Sequence, residues 1–176
     1  MTDSQGETRV WELMEEIGFC MLSSLDVSEG RPSTSIGTND LLIRSRPMAA
    51  HVCRDENAIY FLTDADSAKD EDIEARPQVN LAFADTKGQT YVSLTGRAAV
   101  SNDREKISEL FSTPAKAWWD DADDPSIRVL KVTPHDAQYW DSGGTVRSYI
   151  KMAAAIATDS KPDLGDHEKV DMEEGV

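Results

Sequence analysis

Short strand-like segments separated by turns limit the fold of this chain more than any other feature. The clearest pair is residues 46–53 and 59–63, two apolar runs that the polar residues 54–57 connect. Runs of this length, bounded by polar residues, predict a β-hairpin. We expect the hairpin to bring Arg46, at the start of one strand, close to Thr63, at the end of the other.

The remaining segments predict further antiparallel strands with short helices between them and at the ends. Gly96, within one of the strand-like segments, predicts a bulge or a close approach of another backbone. The other predicted strands cover residues 19–25, 41–43 leading into the strand of Arg46, 79–83, 90–100, 127–132 and 137–141. Amphipathic helices are predicted at residues 10–17, ended by Gly18, and at 68–75, 103–111 and 146–157.

About six strands joined mostly by hairpins predict a mainly β (α+β) protein, built as a small six-stranded antiparallel barrel. Closure of such a sheet removes the edges that would otherwise aggregate. We expect one domain over residues 8–158, which includes the C-terminal helix, followed by a polar acidic tail over 159–176.

The net charge restricts the partners of this chain. With 33 acidic and 18 basic residues, the formal charge is -15. A field of this sign repels polyanions, so the composition argues against binding to nucleic acid or to an anionic membrane surface. A small anion could still bind, because a local cluster of cations acts over a Debye length of about 10 Å.

The cysteine pattern and the N-terminal residues bear on location. Cys20 and Cys53 each lie inside an apolar run without CxxC spacing, which indicates buried thiols in a reducing compartment, with a disulfide between neighbouring strands as the alternative. The first residues show no secretory signal, and no stretch approaches the 18 apolar residues of a spanning helix. We therefore expect a cytoplasmic protein.

A candidate anion-binding site follows from the predicted hairpin and the turn after it. Arg46 and Thr63 would come from the hairpin, and Ser67 and Lys69 from the turn. Ser67 also occupies the N-cap position of the predicted helix 68–75, whose free N–H groups favour anions. Two cations and two hydroxyls fit a phosphate dianion, because charge-assisted hydrogen bonds offset its desolvation.

An ordered set of short motifs resembles the FMN-binding split-barrel family related to pyridoxamine 5'-phosphate oxidase, and within it the bacterial general stress proteins. The resemblance covers roughly residues 8–170. The motifs lie at residues 21–24, 46–48, 61–63, 66–69, 76–81, 91–96, 118–119, 124–125, 139–141 and 161–165.

The resemblance implies a six-stranded split barrel that forms a homodimer, with FMN at the subunit interface. Arg46, Thr63, Ser67 and Lys69 would hold the FMN phosphate. The segment of Pro47, with the backbone at Met48 and Ala49, would face the isoalloxazine edge, with Leu62 nearby. Tyr91, Trp118 and Trp140 would contact the flavin ring, and either tryptophan could come from the partner subunit.

The chain departs from the oxidase itself at the substrate site. His51 occupies the position at which the oxidase carries a substrate-binding lysine, and residues 112–114 replace a Ser-Arg-Pro run. These departures argue against pyridoxamine phosphate as the substrate. The leading hypothesis is therefore an FMN-dependent oxidoreductase of unknown substrate. The alternatives are a flavin-binding module without turnover, used in storage, sensing or stress protection, and a related barrel that uses haem or a deazaflavin.

Overall fold

The computed structural model of the protein describes residues 4–26, 42–65, 73–112, 115–142 and 166–172. The predicted C-terminal helix at 146–157 lies outside these residues. Of the predicted helix 68–75, only residues 73–75 are described, and they are helical. No described helix is both long enough and apolar enough to cross a bilayer.

Antiparallel β-structure dominates the described chain, which confirms the predicted fold class. Besides the helical residues 73–75, two α-helices of the described chain, α1 (Ser4–Ile17) and α2 (Arg104–Leu110), flank the sheet. The eight strands are β1 (Phe19–Asp26), β2 (Leu42–Ala49), β3 (His51–Cys53), β4 (Ala58–Asp64), β5 (Gln78–Asp85), β6 (Thr90–Ser101), β7 (Ile127–Asp141) and β8 (Asp166–Asp171).

A single residue connects the two end strands of the sheet. Its strand order is β2-β1-β5-β6-β7-β4-β3, with β8 also paired to β7. The strands at the two ends of this order, β2 and β3, are separated in sequence only by Ala50. The Ala50 N–H donates to the carbonyl of Gly18 at 2.9 Å, which extends the pairing with β1 to this residue. After Ala50 the chain pairs with β4 instead. One bent stretch of chain therefore forms both margins of the sheet.

Two differences add strands that the sequence did not predict. The segment predicted as one strand over residues 46–53 is interrupted at Ala50 and forms parts of both β2 and β3. The expected polar tail at 159–176 contains β8, which pairs with β7. Val170 and Met172 follow the alternation of a strand and are buried, which is the physical reason that this charged segment joins the sheet.

A third difference concerns β7. The sequence predicted separate strands at 127–132 and 137–141, but the two are halves of one strand. Pro134 caused the predicted break because it lacks an N–H donor. In the structure Pro134 lies opposite Gly96, where the register between β6 and β7 shifts. The expectation of a bulge or close backbone contact at Gly96 is confirmed.

Helix α1 packs on the sheet. Its apolar residues recur at helical spacing, and Val10, Trp11, Leu13 and Met14 are all buried in the main core. The helix ends at Gly18, as predicted, because this residue takes a positive φ of 68° while its N–H donates to the carbonyl of Met14. Such a conformation favours glycine over residues that carry a Cβ.

Helix α2 packs on the opposite side of β4 and β7 and forms a second, smaller core. Asp103 caps the helix by accepting a hydrogen bond from the N–H of Lys106 at 3.0 Å. The Lys106 ammonium group lies 2.7 Å from a carboxylate oxygen of Glu56 and 4.9 Å from the ring centre of Tyr60. The Tyr60 hydroxyl donates to the same carboxylate at 2.6 Å. These contacts attach α2 to the β3–β4 hairpin.

Candidate functional site

Arg46 lies in the middle of β2, with its side chain on the inner face of the sheet. Its register partner on β1 is Leu22, which is fully buried, and directly opposed residues of an antiparallel pair share a face. One guanidinium nitrogen of Arg46, Nη1, donates to the hydroxyl of Ser24 at 3.1 Å. The Arg46 guanidinium is thus half-buried and is held on the inner face of β2 by the neutral hydroxyl of Ser24.

Thr63 lies near the end of β4 and is also buried. Together with Ser24, it is one of two polar side chains that are buried within the described part of the chain. Thr63 shares its face with Phe61, which belongs to the main core, while the half-buried Leu62 points to the other face and packs against the second core. The hydroxyl of Thr63 therefore lies on the inner side of the sheet, as Arg46 does.

The relation between Arg46 and Thr63 differs from the prediction in one respect. The predicted hairpin exists, but its ladder pairs only His51, Val52 and Cys53 with β4. Arg46 belongs to the part of the strand that pairs with β1. Arg46 thus lies on β2 at one margin of the sheet, and Thr63 lies on β4, the strand next to β3 at the other margin. Ala50 joins β2 to β3. The other two predicted anion ligands, Ser67 and Lys69, lie outside the described residues.

The residues after Arg46 alternate between the two faces of β2. Met48 is half-buried against the main core, while Pro47 and Ala49 are exposed on the outer face. Pro47 lies opposite Met21 of β1, and Ala49 lies opposite Phe19. The candidate flavin-facing segment is therefore accessible from outside the sheet at Pro47 and Ala49.

Tyr91 and Trp140 are cross-strand neighbours on β6 and β7. Their exposed fractions are 38% and 39%. Strands β1 and β5 separate them from β2, so within one chain they lie apart from Arg46 and Pro47. Trp118, the third predicted aromatic contact, lies in the segment between α2 and β7 and is 81% exposed, whereas the adjacent Trp119 packs against the second core.

Exposed apolar side chains continue from β2 to β7 on the outer face of the sheet. Met21 pairs with Ala82 of β5, and Ala84 of β5 pairs with Tyr91. We call this surface the outer apolar face; it comprises Phe19, Met21, Pro47, Ala49, Ala82, Ala84, Tyr91 and Trp140, all of them exposed. Contiguous apolar surface that crosses five strands is typical of an interface rather than of a solvated sheet.

The structure adds two residues that the sequence analysis did not select for the site. Ser24, the hydrogen-bond partner of Arg46, lies in the motif at residues 21–24 but was given no role at the site. His167 of β8 stacks on Trp140, with ring centroids 4.9 Å apart and planes 11° apart. The weak signal for β8 was the alternate placement of Val170 and Met172 within a charged segment.

His51, which occupies the position of the oxidase's substrate-binding lysine, lies on β3 opposite Tyr60. Burial lowers the pKa of its imidazole, which favours the neutral form. Because Tyr60 belongs to the second core, His51 shares that face and not the inner face of Arg46 and Thr63. The placement of His51 does not favour direct contact with an anion bound at Arg46.

Comparison with known proteins places this geometry in a family. The family model described as pyridoxamine 5'-phosphate oxidase like matches residues 5–163. General stress protein 26 of Bacillus subtilis (strain 168) is 30% identical over 88 residues, which cover 48% of this chain and 63% of that protein. The chain thus spans less than two thirds of the length of the curated relatives it matches.

Solved structures share the fold. A protein described as general stress protein 26 from Jannaschia sp. CCS1 superposes with a TM-score of 0.70 at 27% identity, over 95% of this chain and 98% of that chain. The general stress FMN/FAD binding protein of Xanthomonas citri superposes with a TM-score of 0.60 at 22% identity, over 79% of this chain and 90% of that chain. The family predicted from the ordered motifs is confirmed: this chain is a member of the pyridoxamine 5'-phosphate oxidase-like family.

Proposed function

We propose that this protein binds FMN between two copies of the chain and acts as an oxidoreductase of the general stress protein type. Family membership and a structural neighbour described as FMN/FAD binding support a flavin. The observation that carries the proposal is the separation of the candidate residues into two groups within one chain. One group contains Arg46 on β2 and Thr63 on β4, and the other contains Tyr91 and Trp140 on β6 and β7.

The first group fits the phosphate end of FMN. The chain carries a charge of -15, so an anion requires a local cation to bind at all. Arg46 supplies this cation, and its contact with the neutral Ser24 hydroxyl leaves its positive charge uncompensated by that residue. Thr63 would add a hydroxyl, and Ser67 and Lys69 would complete the set from the adjoining turn. Such donors suit a phosphate dianion.

The second group fits the isoalloxazine ring. A planar, largely apolar ring is stabilised by aromatic faces that exclude water. Strands β1 and β5 prevent Tyr91 and Trp140 from reaching a ring bound beside Pro47 and Ala49 of their own chain. Tyr91 and Trp140 of a second copy could cover that ring if the two outer apolar faces met. Trp118, with 81% of its surface exposed, is accessible to a second copy of the chain.

FMN would supply the hydride or electron transfer, and the protein would supply placement and electrostatics. Arg46 and Thr63 would hold the phosphate, the backbone at Met48 and Ala49 would orient the ring edge, and Leu62 would support it from β4. The aromatic residues would exclude water. The free thiols Cys20 and Cys53 fit a reducing compartment, which supports the expected cytoplasmic location.

The test begins with the visible spectrum and the mass in solution of the purified protein. We expect bands of oxidised flavin and a dimer, and we expect Arg46→Ala to lose most of the flavin while its unfolding midpoint stays unchanged. Arg97→Ala, which removes an equally charged but exposed side chain of β6, should keep its flavin. Equal flavin content in the two variants would remove Arg46 from the site, and a colourless protein that ignores added FMN would overturn the proposal.

Anaerobic addition of NADH or NADPH then addresses turnover. Rapid bleaching of the bound flavin is expected for an oxidoreductase. A flavin that stays oxidised with both donors would contradict the reductase assignment and favour the flavin-binding module without turnover. A Soret band in the first spectrum would instead indicate haem.

A further inference from the structure

Strand β8 places one aromatic side chain directly against Trp140. His167 is the register partner of Trp140 in the ladder between β7 and β8. Their rings are nearly parallel, with planes 11° apart and centroids separated by 4.9 Å. Within the described residues this is the one stacked pair of aromatic rings. The contact is offset stacking of the kind that stabilises aromatic pairs.

Trp140 needs such a contact if its indole is to keep one orientation. The side chain is 39% exposed, and its neighbour on the other side, Tyr91, shares the register without forming a stacked ring pair among the described residues. A half-exposed indole on a strand can turn about two side-chain torsions. Fixing it before a ligand arrives reduces the entropy lost on binding.

The position of β8 does not depend on His167. On the inner side of this strand, Glu168 accepts a hydrogen bond from the Tyr139 hydroxyl at 3.0 Å, and Val170 is buried in the main core. Arg9 of α1 contacts the Asp141 carboxylate at 2.7 Å, which ties the helix to β7 beside Trp140. Removal of the imidazole should therefore leave the backbone of β8 in place.

We infer that His167 is a positioning residue that holds the indole of Trp140 in the plane required for contact with the flavin ring. This inference rests on the proposed function, because it concerns the same site. It assigns a role in cofactor binding to β8, a segment whose composition alone indicated a solvated tail. The imidazole acts through the indole and is not itself a flavin ligand.

The test titrates the flavin-free form of three variants with FMN. Binding is monitored by the quenching of flavin fluorescence. His167→Ala should weaken FMN binding by about threefold to tenfold, the size expected for one aromatic pair. His167→Phe keeps a stacking ring and should bind within about twofold of the unmodified protein. Lys169→Ala, an exposed change on the same strand, is the matched control and should also bind within about twofold.

A second readout examines the contact without flavin. His167→Ala should change the near-ultraviolet circular dichroism of the flavin-free protein, and the change should vanish when Trp140→Phe is already present. Unchanged spectra in His167→Ala would show that His167 and Trp140 do not stack in solution. Wild-type FMN affinity in His167→Ala, or equal losses in His167→Ala and His167→Phe, would overturn the positioning role alone. If the unmodified protein binds no FMN, the proposed function and this inference fail together.

Discussion

Pro134 of β7 lies directly opposite Gly96 of β6, and the register between the two strands slips at this pair. His135 is the extra residue on β7, because the preceding pair joins Thr95 to Asp136. A Cβ at position 96 would lie 2.7 Å from the carbonyl oxygen of Thr133. Glycine fits at position 96 because the neighbouring backbone is too close for a side chain. Proline fits at position 134 because the bulge does not require a backbone N–H donor there.

Gly96→Ala should destabilise the fold for this reason. The added methyl group would meet both the Thr133 carbonyl oxygen and Cγ1 of the buried Val132, each at 2.7 Å. Overpacking of this kind costs about 1–3 kcal/mol. Urea unfolding at neutral pH measures the difference. Ala99→Ser, at an exposed position of the same strand, should stay within about 0.5 kcal/mol of the unmodified protein. Equal stability of the two variants would mean that the backbones separate at Gly96 without cost.

Met172→Ala tests whether the end of the chain belongs to the folded domain. Met172 is 2% exposed in the main core, and its N–H donates to the carbonyl of His135 at 2.9 Å. Truncation of a buried methionine costs about 2–5 kcal/mol. Thermal or urea unfolding should show this loss, whereas Lys169→Ala should show almost none. If Met172→Ala were as stable as the control, β8 would be detached from the sheet in solution.

Alkaline pH should destabilise the protein through Cys20. Burial raises the pKa of its thiol to about 12 from an ordinary value of 9.0. Between these values the unfolded chain releases the proton while the folded chain keeps it, so stability falls as the pH rises through this window. At pH about 10.5 the loss is about 2 kcal/mol relative to pH about 8.

Cys20→Ala isolates this contribution, because the other groups that titrate at high pH are common to both proteins. Urea unfolding of each protein at the two pH values gives the two losses. The unmodified protein should lose about 2 kcal/mol more than Cys20→Ala. Parallel losses in the two proteins would show that the Cys20 thiol ionises as readily in the folded chain as in the unfolded chain.

The sequence predicted local features of the fold well and non-local ones poorly. Helix α1 and its end at Gly18 follow from apolar spacing and from one residue that tolerates a positive φ. Strand β8 was not predicted, because four of its six residues are charged and its formation depends on the edge offered by β7. Strand formation depends on the partner surface more than on intrinsic preference.

At the candidate site, too, the sequence predicted local features better than non-local ones. Residue types and motif order selected Arg46 and Thr63 from sequence alone, and the structure places both side chains on the inner face of the sheet. The sequence could not predict that Arg46 would pair with Leu22, since the strand changes its partner at Ala50, from β1 before this residue to β4 after it. The hydrogen bond from the Ala50 N–H to Gly18 marks the end of the pairing with β1. That bond joins residues far apart in the chain.

Phe19→Asp should separate the proposed dimer while the single chain keeps its fold. Phe19 belongs to the outer apolar face and is 62% exposed, so the folded monomer gains little from it. Inside a dimer the carboxylate would be buried without a partner, at a cost of at least about 2 kcal/mol. Sedimentation and flavin content should therefore both fall, with an unchanged unfolding midpoint at low protein concentration. Ala99→Asp adds the same charge at an exposed position near the other end of β6 from Tyr91, apart from the residues of that face, and should remain dimeric and yellow. A dimeric, flavin-loaded Phe19→Asp would place the subunit interface elsewhere on the molecule.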